Sequence, residues 1–94
     1  MTVTRDSVRE LAPEFEGAAD TLLDAHIAIQ TARTQGTMTD SERDWLIFLR
    51  VADTLARSPF ARDLKLVNKD GSTAYSEPLR HALTKISLHR RHAR

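Results

Sequence analysis

Thr39-Asp40-Ser41-Glu42 has the spacing of a helix capping box and runs directly into Trp45, so it fixes both where a helix begins and which way it faces. At 3.6 residues per turn, Trp45, Phe48, Leu49, Ala52, Leu55 and Ala56 share one face, while Arg43, Arg50 and Arg57 recur every seven residues on the opposite one. Ser58-Pro59 stops the helix, because proline excludes the α conformation from the residue before it. A stripe this apolar must be covered by other elements. The helix over 39–57 is therefore the axis around which the rest of the chain is expected to pack.

The flanking sequence supplies the cover. Ser7 with Glu10 three residues later has capping-box spacing, and Val8 and Leu11 give a short apolar stripe that Pro13 cuts off. Phe15 is expected to anchor the segment on the core, and Gly17 permits the turn into a second helix over 18–34. There Leu22, Leu23, Ala25, Ile27, Ile29 and Ala32 make a broad apolar surface. Ser76-Glu77-Pro78 opens a last helix with Leu79, Ala82, Leu83 and Ile86 as its stripe, proline being at home in a first turn. The expected core is Leu22, Ile29, Trp45, Phe48, Leu49, Leu55, Leu83 and Ile86.

Residues 64–75 interrupt this helical order. Leu64, Leu66 and Val67 favour a strand, and Asp70-Gly71 is a strong short-range hairpin signal because glycine accepts the positive φ of a primed turn. A two-stranded hairpin is marginal alone in water, so it must lean on the bundle or on another molecule. The simpler alternative is an extended or mobile loop. The fold class expected is mainly α: a single domain over 1–94, a small bundle of about four helices with one projecting hairpin or loop before the last helix.

Ninety-four residues support one small core and only marginal stability. Cysteine is absent, which excludes a disulfide framework or a zinc ribbon. No apolar run approaches the roughly 18–20 residues of a membrane span, and residues 1–6 do not lead into a signal-peptide core. The net charge of +1 hides an asymmetry: residues 1–34 hold six acids against three arginines, and no acid follows Glu77. The closing stretch instead carries Arg80, Lys85, Arg90, Arg91 and Arg94, with His81, His89 and His92. Such a tail, residues 88–94 with Leu88 at its start, fits docking on an acidic partner or on DNA; complementing the helix dipole is the plainer reading. Arg43, Arg50 and Arg57 are likewise either a basic ridge between subunits or a solvated face, with Asp53 a local partner for Arg57.

Catalytic chemistry finds no constellation. His89 and His92 lie three apart but no carboxylate, cysteine or HExxH pattern completes a metal site, and His26 reads as a packed residue with hydrogen-bond partners. Gly-rich phosphate loops and the Gly-x-Ser-x-Gly elbow are missing. An enzyme, a metal and a cofactor are not expected. A helix-turn-helix reader is disfavoured too, since the third helix opens with acids where phosphate would lie. Lys65, Lys69 and the tail could contact a DNA backbone only without specificity.

The order of parts resembles the head-to-tail adaptor (head completion, or connector) proteins of tailed bacteriophages. Leu11-Ala12-Pro13-Glu14-Phe15 is similar to the segment that leads into the bundle, Ala19-Asp20-Thr21-Leu22-Leu23-Asp24-Ala25 to the helix after it, and residues 64–75 sit where a projecting hairpin is expected. The resemblance implies a virion protein at the neck, made in the host cytoplasm, forming a ring expected to be dodecameric between the portal protein and a tail or stopper protein, with DNA in its lumen. It further implies that Leu64, Lys65, Leu66, Val67, Lys69 and Tyr75 touch a partner, and that Leu88, His89, Arg90, Arg91, His92 and Arg94 dock on the portal or face DNA. The alternative is a small cytoplasmic regulatory protein that binds a protein or nucleic acid through the basic tail.

Overall fold

The computed structural model describes the backbone of residues 3–92 and the side chains of residues 3–86. Helix occupies 69% of the chain and no strand forms among the described residues, so the mainly α class holds. Four α-helices are described, α1 (Arg5–Leu11), α2 (Asp20–Arg33), α3 (Asp40–Ala56) and α4 (Ser76–His92), with 3-10 turns at Pro13–Phe15 between α1 and α2 and at Pro59–Leu64 between α3 and α4. None of the described helices is long and apolar enough to cross a membrane.

α3 is the axis, as its capping box requires. The Glu42 N–H donates to Thr39 Oγ1 at 3.1 Å and the Thr39 N–H to Glu42 Oε1 at 2.8 Å, satisfying two of the backbone donors that a helix start leaves free. Its burial is wider than one stripe: Leu46, Ile47, Phe48, Leu49, Val51, Ala52, Leu55 and Ala56 are all buried. Covering elements on several sides make this possible. Trp45 is the exception, 48% exposed, because it lies near the helix start where the cover thins.

The cap of α1 lies three residues before the expected one. Thr4 is the N-cap and Ser7 closes the box from the N3 position, its hydroxyl accepting from the Thr4 N–H at 2.9 Å in the role usually given to Glu or Gln. Val8 is fully buried while Leu11 is 53% exposed. Pro13 ends α1, and the turn it starts drives Phe15 into the core, where it is completely inaccessible. α1 is fastened to the start of α2 by Arg9, which donates to Ala18 O and to Asp20 Oδ1, each at 2.7 Å, and by Arg5, 2.9 Å from Asp20 Oδ2. Part of the acidic front is thereby used internally.

On α2 the inward line is Leu23, Ile27 and Gln30, with Leu22 partly buried. Ile29, expected in the core, is 48% exposed: six residues on from Leu23, it lies about 120° around the helix. Leu83, also expected inside, is 40% exposed, whereas Ile86 is buried. Among the described residues α4 packs mainly on α3, so its stripe is narrower than its sequence suggests.

Residues 64–75 adopt the loop form of the expectation and pair no strands. Leu64 is the last residue of a 3-10 turn, and Lys65 follows in the left-handed conformation at φ 52°. The Asp-Gly turn does form: the Asn68 N–H reaches Ser72 O at 2.7 Å, and Gly71 takes φ 87°. Pairing stops there because the chain on one side is already wound and the chain on the other is tied to α3. Thr73 Oγ1 donates to Asp53 Oδ1 at 2.7 Å and Ser76 Oγ to the same oxygen at 3.2 Å.

Candidate interaction surface

Four of the five aromatic residues form a continuous ladder from the surface inward. Trp45 stacks on Phe48 with centroids 5.5 Å apart, Phe48 meets Tyr75 edge-on at 6.1 Å, and Tyr75 tilts over Phe15 at 6.2 Å. The spacing Trp45 to Phe48 places both rings on adjoining turns of α3, and the Thr73 anchor sets Tyr75 against them. Tyr75 also donates to Glu14 Oε1 at 2.7 Å, tying the start of α4 to the first 3-10 turn. Burial, and then the Glu14 carboxylate beside it, push the Tyr75 phenol well above its ordinary range, so it stays a neutral donor.

Trp45, at the outer end of this ladder, is its most exposed ring. On one side of Trp45 a groove of about 500 Å³ runs between α3 and α4, floored by Trp45, Pro78, Ala82 and Ile86 and edged by Glu42, Glu77, His81 and Lys85. On the other side a smaller hollow of about 210 Å³ lies against α1, formed by Val3, Leu11 and Phe48 with Ser41 and Asp44. Trp45 is thus a large, half-exposed indole between two mainly apolar hollows. Periodicity had assigned Trp45 to the core. No local signal separates it from Phe48, which shares its stripe; only the cover over α3 differs between the two.

The other expected contact residues divide. Leu64 and Val67 are each 44% exposed, and Lys65 and Lys69 point to solvent. Leu66 and Tyr75 instead pack against the core. Arg43, Arg50 and Arg57 do not make one exposed ridge. Arg43 donates to Gly36 O at 3.3 Å, while Arg50 donates to Arg33 O at 3.3 Å and to Thr34 Oγ1 at 3.1 Å, so both stitch the connection after α2 to α3. Arg57 pairs with Asp53 at 3.2 Å and donates to Ser76 Oγ at 3.2 Å. Cations beside the carbonyl end of α2 are favoured there by its dipole.

Of the tail residues, Leu88, His89, Arg90, Arg91 and His92 fall on the last turns of α4 with their side chains outside the described set, and Arg94 lies outside the described residues altogether. His26 has its expected partner, Nδ1 lying 3.2 Å from Thr54 Oγ1, and burial lowers its pKa. Among the described residues, no group of three or more His, Cys, Asp or Glu side chains is placed to hold a metal. No family model matches the chain, and neither do any curated protein or solved structure.

Proposed function

We propose that the chain is a structural assembly subunit and not an enzyme: a head-to-tail adaptor of a tailed bacteriophage, which builds a ring between portal and tail or stopper protein. The observation that carries the reading is the half-exposed Trp45 ring in its apolar groove. A domain this small has little apolar surface to spare, and placing its one tryptophan half in solvent lowers its own stability relative to a buried site. Occupation by a partner recovers that loss, because anything that binds only the folded chain stabilises it. The loop supplies a second outward apolar and basic surface for neighbouring copies or the next neck protein, and the acid-free segment after Glu77 supplies the arm for the portal. In this reading the protein is made in the host cytoplasm and resides at the neck of the virion, with non-specific DNA contact in the lumen.

Mixing the purified chain with rings of the portal protein encoded nearest to its gene tests this directly by electron microscopy and co-sedimentation. The expected result is decoration of one end of the ring. Truncation after Ser87 should weaken that binding far more than it lowers the melting temperature, and the lost affinity should be salt-sensitive, exposed pairs being screened within about 8–10 Å. A chain that ignores the portal but binds duplex DNA or a host protein through the tail would favour the regulatory reading, for which the acid-free stretch is the observation.

A further inference from the structure

A hollow of about 360 Å³ lies between α2, α3 and α4 and does not include Trp45. Helical spacing builds its walls. Gln30 and Arg33 are three apart on α2, Arg50, Asp53 and Thr54 fall at i, i+3 and i+4 on α3, and Leu79 closes it from α4. Some of these polar groups are already engaged. Both Asp53 oxygens accept, Oδ1 from Thr73 and Ser76 and Oδ2 from Arg57 at 3.2 Å. The Thr54 hydroxyl donates to Arg50 O at 2.8 Å and lies 3.2 Å from His26 Nδ1.

Three side chains keep donors to spare. Gln30 is 5% exposed and lines the hollow, yet its side-chain amide has no hydrogen-bond partner among the described residues. Arg50 spends Nη1 on Arg33 O and Thr34 Oγ1, which leaves Nε and Nη2. The Arg33 guanidinium is exposed and makes no hydrogen bond or ion pair with a described residue. A buried amide without a partner is costly, and two guanidiniums at one hollow repel each other.

We propose that this hollow binds a phosphate monoester, its dianion held by Arg33 and Arg50 and one of its oxygens accepting from the Gln30 amide. Water would give Gln30 a partner but leave both cations unmatched, whereas a dianion answers both. Charge-assisted donors on three side chains suit three terminal oxygens. Two features oppose an anion, the Asp53 carboxylate and the carbonyl end of α2. Each is already answered, the first by its ion pair with Arg57 and the second by the bond from Arg50 Nη1. Arg33 and Arg50 also line an adjoining hollow with Met38, Leu46 and the 40% exposed Leu83, so an apolar substituent on the phosphate has side chains to rest on. The site is independent of the adaptor reading.

Titration of the full chain with inorganic phosphate and with phenyl phosphate, followed in the proton–nitrogen correlation spectrum at constant ionic strength, is the test. Both should shift the Gln30 side-chain amide signals saturably, phenyl phosphate at the lower concentration. Gln30→Leu should keep or raise the melting temperature in the absence of phosphate and weaken phenyl phosphate binding, read by calorimetry, about tenfold, as for one bond to a charged acceptor. Because Gln30 is buried, Arg33→Gln at an exposed position is the second variant, with a similar loss expected and an unchanged circular dichroism spectrum. Shifts that sodium chloride reproduces at equal ionic strength, dimethyl phosphate or acetate binding as tightly as phenyl phosphate, or full affinity in either folded variant would overturn the proposal.

Discussion

Asp53 determines where the loop returns to the bundle. Its side chain is only 16% exposed and accepts from Thr73, Ser76 and Arg57 together. Asp53→Ala removes the 2.7 Å acceptor of the buried Thr73 hydroxyl and should cost about 1–3 kcal/mol in urea unfolding, with Thr73→Val costing less because Asp53 keeps its bonds from Ser76 and Arg57. Trp45 is the opposite case. Full burial would make Trp45→Ala cost about 3–5 kcal/mol, but a ring 48% exposed, held mainly by its stack on Phe48, should cost about 1–2 kcal/mol, measured in the same way. His26 sets a pH dependence. Burial lowers its folded pKa below the ordinary 6.5, so between those values the unfolded chain holds the extra proton and stability rises with pH. The chain should therefore lose stability as pH falls below about 6.5 and toward the lower folded value, and His26→Gln should flatten that part of the curve relative to wild type.

At the scale of elements, helix starts are set by local hydrogen bonds and helix faces by what covers them. The two capping boxes close within three residues, and Thr39→Ala should cost about 1 kcal/mol by thermal or urea unfolding whatever surrounds α3. Gly71 carries its turn through φ 87° alone, since a Cβ added there would meet nothing within 4 Å. Gly71→Ala should thus destabilise by about 1 kcal/mol purely through backbone strain, and Gly71→Asn by less, because asparagine tolerates the left-handed region. The strands that the Asp-Gly turn advertises do not form. A hairpin needs free backbone on both arms, and here one arm is a 3-10 turn while the other is occupied by the Asp53 network.

For the molecule as a whole, the disposition of apolar and charged surface matters more than any single contact. The Trp45 groove lies at the start of α3 and the partly exposed Phe60, Leu64 and Val67 beyond its end, while the Arg5 and Arg9 pairs with Asp20 bind the first two helices to each other. Arg9 and Arg5 hold the Asp20 carboxyl below its usual range, so its contribution is present above about pH 3.8 and lost as pH falls through the lower folded value. The proposed docking of the basic tail should weaken as salt rises, while monomer stability, carried by the core of Phe15, Leu23, Leu49 and Leu55, should change little. Light scattering and thermal unfolding on the same salt series separate the two effects.

What the sequence determined by itself are the features encoded within a few residues: the start of α3 at its capping box, the stop at Ser58-Pro59, the break at Pro13, the turn at Gly71 and the opening of α4 at Ser76. Each rests on a hydrogen bond or a steric limit that no distant residue is needed to set. Tertiary structure decided which faces are covered. Trp45, Ile29 and Leu83 carry the hydrophobicity and the spacing of core residues, and nothing local distinguishes them from Phe48, Leu23 and Ile86. Burial depends on whether another element passes overhead. α3 is enclosed on several sides past its first turns, so Leu46, Ile47 and Val51 join the core from outside the expected stripe, and Trp45, just short of that cover, is left at the surface.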